Sequence, residues 1–277
     1  MPLSRPELEA LNAIDISYPI PEPDLSAALS SPPFIPSRSL INIRDLGAVP
    51  GSALPARRFF RCGNLSNVAA DPDAVAWLSA NVKRIFDLRK PDERAKSPSP
   101  DIPGVENVWF DQQGAYPNPS LDEFAVGDGR GEWGKQYLIV LDMYAPTIRA
   151  VLEHVRDRPS EPFLFHCTAG RDRTGVVAGL LQSLGGTSTD DVILDYMLSR
   201  IGIEVAREKL TQFALGSLGI ADPTTPGFWN MASLRPVFWT AFLEGVEERY
   251  GGWDGYVTKG LRFSEDDVRA IKENLRS

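Results

Sequence analysis

From Leu40 onward the chain alternates short apolar runs with longer stretches in which apolar residues recur at helical spacing. Arg58-Phe59-Phe60-Arg61-Cys62, Val82-Lys83-Arg84-Ile85-Phe86-Asp87-Leu88 and Val105 to Phe110 are short, rich in β-branched and aromatic residues, and predict strands. A helix from about Asp73 to Ala80 precedes the second of them. Leu138, Leu141, Ile148, Leu152 and Val155 predict one long helix from about Gln136 to Arg156. Phe163-Leu164-Phe165-His166 then reads as a buried central strand. Val176, Val177, Leu180 and Leu181 build a helix from Thr174 to Leu184, which Gly185-Gly186 stops. Strands separated by helices predict a single α/β domain with a central, mostly parallel sheet of about four or five strands flanked by helices.

The remainder of the chain predicts helices. Ser188-x-x-Asp191 and Ser264-x-x-Asp267 are capping-box patterns with Asp in the Glu position. Val192, Ile193, Tyr196, Met197 and Leu198 give one apolar face; Val237, Phe238, Ala241, Phe242 and Val246 give another. Two segments break the pattern. Residues 1–38 read as a proline-rich extended arm, because Pro19, Pro21, Pro23, Pro32, Pro33 and Pro36 oppose a continuing helix. Its Leu25, Ala27, Leu29, Phe34 and Ile35 predict that part of it packs on the domain, which spans 39–277. Residues 112–133, punctuated by Gly114, Pro117, Pro119, Gly127, Gly129 and Gly131, read as a polar insertion and a candidate lid.

Composition narrows the function. Of 277 residues, 29 are Lys or Arg and 37 Asp or Glu, a net charge of −8. With no basic surplus to displace counterions from phosphates, general nucleic-acid binding is excluded. No apolar run reaches the roughly 18 residues a membrane span needs. The first residues lack the basic start and apolar stretch of a signal peptide, so a cytoplasmic, reducing compartment is expected. Two cysteines, Cys62 and Cys167, and two histidines, His154 and His166, do not supply a disulfide scaffold or a closed zinc site. One Cys stands beside one His, at 166–167.

That pair opens the stretch His166-Cys167-Thr168-Ala169-Gly170-Arg171-Asp172-Arg173-Thr174-Gly175, between a strand and a helix. A tight turn there converges the backbone N–H groups of 168–173 on the helix N-terminus and makes an anion site. Cys167 sits at its mouth, where the positive end of the helix favours the thiolate. Arg173 can bring two donors to a bound phosphate. A thiolate under such a cradle is a device for in-line phosphoryl transfer to sulfur.

Cys-x5-Arg-Thr after a strand resembles the protein tyrosine phosphatase superfamily. Asn42-Ile43-Arg44-Asp45-Leu46-Gly47, Arg61-Cys62-Gly63-Asn64-Leu65-Ser66, Phe86-Asp87-Leu88-Arg89, Asp195-Tyr196-Met197-Leu198-Ser199-Arg200 and Tyr250-Gly251-Gly252 look like the motifs of its bacterial and fungal tyrosine/serine phosphatase group. The resemblance covers about Ile41 to the last residue and implies a fold like that of the dual-specificity phosphatases. It also implies that Cys167 forms a cysteinyl-phosphate, that Arg173 binds the phosphate and stabilises its transition state, and that Thr174 hydrogen-bonds the sulfur. His166 would support the loop from behind, with no metal or other cofactor. The group usually has Ser or Thr at Cys62 and Lys at Arg171.

For the general acid three carboxyls compete: Asp172 inside the loop, Asp87 at the end of a strand facing the same sheet edge, and Asp111 after the next strand. Asp172 and Asp87 rank above Asp111. Arg171 is read as a second cation at the pocket rim, beside Thr168, Ala169, Gly170, Asp172 and Arg173 in the phosphate cradle; the bland alternative is a solvent-facing charge. Asp45, Arg44 and Arg89 are expected in structural ion pairs, Cys62 as a small buried residue, His154 as an exposed helix residue and Asp195 as a structural acid. Trp133, Tyr137 and Tyr144 line the pocket or fill the core. The substrate expected is a phosphorylated protein, chiefly phosphotyrosine, with phosphoserine/threonine or phosphoinositide as further classes. The rivals are a pseudophosphatase that binds phosphorylated partners, a phosphatase of a small metabolite, and a rhodanese-like sulfur-transfer loop, which Arg-Thr-Gly disfavours.

Overall fold

The computed structural model describes residues 3–111 and 119–277. Its first element is helix α1 (Arg5–Asn12), followed by α2 (Glu22–Leu29). Both lie in the segment whose prolines predict an extended arm. The difference has a simple cause. Pro6 and Pro23 fall in the first turns of their helices, where a missing N–H breaks no intrahelical bond. Ser4 and Glu7 close α1 with a capping box.

Strands β1 (Arg44–Asp45), β2 (Phe59–Cys62), β3 (Arg84–Asp87), β4 (Glu106–Trp109) and β5 (Phe163–His166) form one sheet in the order β1-β2-β5-β3-β4. Only the β1–β2 pair is antiparallel. Period-two alternation sends Phe59, Phe86, Phe163 and Phe165 into a large core on one face. Phe60, Ile85 and Leu164 enter a smaller core on the other, against Ala74 and Leu78 of α3 (Pro72–Asn81). Burial on both faces explains why β5 reads as an unbroken apolar run.

The short helices α4 (Pro91–Lys96) and α5 (Leu121–Ala125) precede α6 (Arg130–Met143) and α7 (Ala145–Asp157). The single helix expected from Gln136 is therefore two, and the first starts earlier. Pro146 in the first turn of α7 restarts the helix. Residues 112–118 of the expected insertion lie outside the described residues, whereas its later part is α5, a turn and the start of α6. His154, expected exposed, is buried on α7 edge-on to Phe86 and Phe163, its Nε2 3.0 Å from the Glu161 carbonyl. Beyond β5 come α8 (Asp172–Gly185), α9 (Thr189–Gly202), α10 (Arg207–Leu218), α11 (Phe228–Ala232) and α12 (Pro236–Tyr250), then a C-terminal helix, Glu265–Arg276. Leu8, Ile20, Leu25 and Ala28 of the arm pack with Leu194, Leu198 and Ile201 of α9. Among the described residues, no helix is long and apolar enough to cross a membrane.

The register decides where chemistry sits. His166 pairs with both Cys62 and Asp87, so β2, β5 and β3 end level with one another. Cys167 emerges at this carboxyl edge, the side on which open α/β sheets bind ligands.

Candidate active site

Between β5 and α8 the chain turns through residues 167–171. Gly170 makes the turn with φ +66°, and a Cβ there would lie 2.4 Å from the Cys62 carbonyl oxygen. A side chain is excluded by both conformation and contact. The outer carbonyls of the loop are held from below. Asn42 Nδ2 donates to the Gly170 and Ala169 carbonyls (2.8 and 3.2 Å), Arg61 Nη2 to Gly170 (2.8 Å), and the Asn64 N–H to Thr168 (2.9 Å).

Arg61 and Arg44 both converge on buried Asp195, at 2.5 and 2.7 Å. Burial, with Arg61 beside it, brings the Arg44 guanidinium down to about 10. Burial alone would raise the Asp195 carboxyl, but the two guanidiniums hold it below its usual range. The structural role expected of Arg44 is met with Asp195 as its partner, and Arg89 pairs with Asp87. Asp45 differs: its carboxylate accepts backbone N–H groups of Gly47 and Arg57, at 2.9 and 2.6 Å, instead of pairing with a cation.

Cys167 is buried at the base of a cavity of about 440 Å³. Arg173, on the first turn of α8, faces it and is fixed in one plane by Glu93, Nη1 to Oε2 at 2.5 Å and Nη2 to Oε1 at 2.7 Å. Its Nη1 also reaches the Leu88 carbonyl (3.0 Å) and Tyr144 Oη (3.4 Å). The Thr168 hydroxyl donates to Glu93 as well. Burial opposes ionisation of Glu93, yet Arg173 and Thr168 bring its carboxyl down to about 2. Sequence reasoning missed this residue. The available signal was an acid three positions after Lys90, at the start of a helix that opens with Pro91 directly beyond the Asp-Leu-Arg motif.

The acid candidates separate. Asp172 lines the cavity, its Oδ1 accepting from Tyr137 Oη (3.1 Å) and both oxygens facing Arg171 Nε (2.9 and 3.0 Å). Asp87 is buried and turned into a fork-to-fork pair with Arg89 (2.9 and 2.8 Å), with Arg94 at 3.0 Å. Burial would raise its carboxyl, but His166 and Arg89 keep it below the usual value, and it does not line the cavity. Asp111 is exposed and also lies off the cavity lining.

Arg171 is neither solvent-facing nor a free rim cation. Besides Asp172, its guanidinium donates to the carbonyls of Ala232 and Met231 at the end of α11 and stacks on Trp133. His166 is buried behind the loop, 3.7 Å from Asp87; burial pushes it toward the neutral form against that carboxylate. The Thr174 hydroxyl is buried with no hydrogen-bond partner among the described residues, so the bond to the Cys167 sulfur that the resemblance implies is not made here. Cys62 is buried too, and burial raises its thiol well above the usual range. Trp133 lines the cavity, while Tyr137 and Tyr144 are core residues whose hydroxyls reach Asp172 and Arg173.

A thiol, a planar guanidinium and a carboxyl thus meet around one loop at a helix N-terminus. The tyrosine phosphatase family is matched over residues 35–277. A tyrosine-protein phosphatase of Nostoc commune is 30% identical over 233 residues, covering 82% of this chain and 77% of its own. The triple specificity protein phosphatase PtpB of Mycobacterium tuberculosis is 23% identical over 252 residues, 78% of this chain and 90% of its own. The chain belongs to the tyrosine phosphatase family and is a phosphatase enzyme.

Proposed function

We propose that the enzyme hydrolyses phosphomonoesters through a cysteinyl-phosphate on Cys167, with protein phosphotyrosine as its main substrate. The Cys167 thiolate attacks phosphorus while Arg173 and the N–H groups of 168–173 hold the phosphoryl oxygens. The bond to the leaving oxygen breaks, and that oxygen takes a proton from Asp172. Water then gives a proton to the Asp172 carboxylate, attacks phosphorus and displaces the thiolate, releasing inorganic phosphate. The Thr174 hydroxyl, buried with no hydrogen-bond partner among the described residues, is available to turn toward the departing sulfur and meet its charge.

The observation that carries the reading is Cys167 and Arg173 facing one cavity with Asp172 on its wall. The cavity's outer wall supports an aromatic phosphoester. Phe124, Trp133, Leu210, Phe213 and Met231 line it; of the cations beyond Arg173, Arg171 is engaged by Asp172 and backbone carbonyls and Arg207 by Glu204, while Lys90 also borders the cavity. A polyphosphorylated inositol headgroup needs uncommitted cations instead. Phosphoserine and phosphothreonine fit the same cradle with less contact, a breadth matching the name of the mycobacterial relative. Cys167, Arg173 and Thr174 together favour turnover over mere capture, the behaviour of a pseudophosphatase.

The test is a panel of phosphotyrosine, phosphoserine and phosphothreonine peptides, phosphoinositides and small sugar phosphates. Wild type is expected to prefer phosphotyrosine, and Cys167→Ser to lose turnover while retaining vanadate binding. Turnover by Cys167→Ser would refute the covalent route.

A further inference from the structure

We infer that Tyr137 and Tyr196 form a hydroxyl relay that positions Asp172 for proton transfer, with Tyr137 as the positioning residue in contact with it. Asp172 sits at the start of α8, Tyr137 on α6 and Tyr196 on α9, so three separate helices bring the groups together. The inference rests on Asp172 being the general acid.

The direction of the relay follows from donor inventory. A carboxylate can only accept, so Tyr137 O–H donates to Asp172 Oδ1 (3.1 Å). The Tyr137 oxygen, 2.8 Å from Tyr196 Oη, must then accept the Tyr196 proton. Both residues are almost wholly buried, at 1% exposure, and the contact between their hydroxyls is itself buried. Burial and Asp172 push both phenols upward, Tyr196 adding to the effect on Tyr137, so both remain protonated donors at neutral pH. Arg171 Nε approaches both carboxylate oxygens, so the hydroxyl of Tyr137 is what makes them different. Oδ1 is fixed as the acceptor, and Oδ2 becomes the oxygen that carries the transferable proton.

The fit of Tyr137 argues against a purely space-filling role. Its ring is packed against Trp133, Tyr196, Trp239 and Phe242, a site that would accept Phe without a hydroxyl. Within that apolar setting the only carboxylate reached among the described residues is the one at the cavity wall. A buried phenol is expected to have a partner, and here the partner lies among the reacting groups.

The test compares Tyr137→Phe, Tyr196→Phe and Asp172→Asn on aryl phosphates whose leaving groups range from nitrophenol to unsubstituted phenol. Nitrophenolate departs without a proton, whereas phenolate needs one. Tyr137→Phe is expected to lower kcat roughly five- to tenfold for phenyl phosphate and hardly at all for the nitrophenyl ester, with KM unchanged. Tyr196→Phe follows the same trend more weakly. On the Asp172→Asn background, Tyr137→Phe adds nothing. An equal loss on every leaving group, or an additive loss on that background, overturns the relay. If Asp172→Asn itself shows no leaving-group dependence, the general-acid assignment fails and the relay with it. If only Asp172→Asn shows it, the assignment stands and the relay alone is refuted. Thermal unfolding and vanadate binding of each variant establish that the fold is intact. Should Tyr137→Phe not fold, the Tyr196→Phe series decides by the same criterion.

Discussion

Arg173 and Glu93 meet fork to fork, two guanidinium nitrogens against two carboxylate oxygens, beside the Cys167 loop. Arg173, which lines the cavity with Cys167, is thus oriented by an acid from a different part of the sheet edge. Bidentate pairs of this kind add angular definition as well as energy. Glu93→Gln keeps the shape but removes the charge, and is expected to lower kcat/KM for an aryl phosphate by about 10- to 100-fold. Vanadate inhibition measured alongside separates a misplaced guanidinium, which weakens vanadate too, from a slower chemical step. Unchanged kcat/KM would contradict the orienting role.

Acid should destabilise the fold in two windows. Glu93 is held at about 2 against an ordinary 4.5. A carboxyl depressed in the folded state stabilises fully above its unfolded value, and that contribution, of order 3 kcal/mol, is lost as the pH falls from 4.5 toward 2. His154 and His166 are pushed by burial below their ordinary 6.5. Unfolding lets them take up protons, so their contribution also falls as the pH drops below 6.5. Calorimetric unfolding between pH 7 and 3 should show stability decreasing throughout. Glu93→Gln should flatten only the part below about 4.5; an unaltered slope there would contradict the assignment.

Gly170 should tolerate no side chain. Ala at this position combines a left-handed φ with a Cβ 2.4 Å from the Cys62 carbonyl. Gly170→Ala is expected to cost about 2–4 kcal/mol and to abolish measurable turnover, because the strand-end contact that shapes the loop must open. Chemical denaturation and a steady-state assay check both effects.

Asp195→Asn removes the charge between Arg44 and Arg61 while both remain buried. Leaving two guanidiniums without a counter-ion should cost roughly 3–5 kcal/mol. Activity at low temperature should also fall, since Arg61 holds the Gly170 carbonyl. A variant with full activity and unchanged midpoint would refute the supporting role.

The gathering of Cys167, Asp172 and Arg173 was legible because it is local: β5, the turn and α8 are contiguous, and the three residues fall within one turn and a helix start. The central strands were legible for a related reason, since burial on both faces writes an apolar run into the sequence. Glu93 was not, because the pairing joins residues far apart in the chain through a short, wholly polar helix with no apolar face to reveal it. Asp87 looked like a second acid because strand position places it at the correct edge; only the three-dimensional approach of Arg89 and Arg94 shows where its charge is used. His154 misled in the opposite way, its polarity suggesting water where Phe86 and Phe163 provide a ring-lined site. The helices of the arm were hidden by prolines that start them.

Helix α9 has two working sides. Asp195, Tyr196 and Ser199 point toward the loop, while Leu194, Leu198 and Ile201 are gripped by the N-terminal helices. Arg200 adds hydrogen bonds to the Ile14 and Tyr18 carbonyls, and Gly202 accepts from Asn42, the residue that holds the loop. The N-terminal segment thereby serves as a brace: it is clamped to one flank of a shared axle whose opposite flank holds the Cys167 loop, and its Ile16 reaches round to the wall of the same cavity.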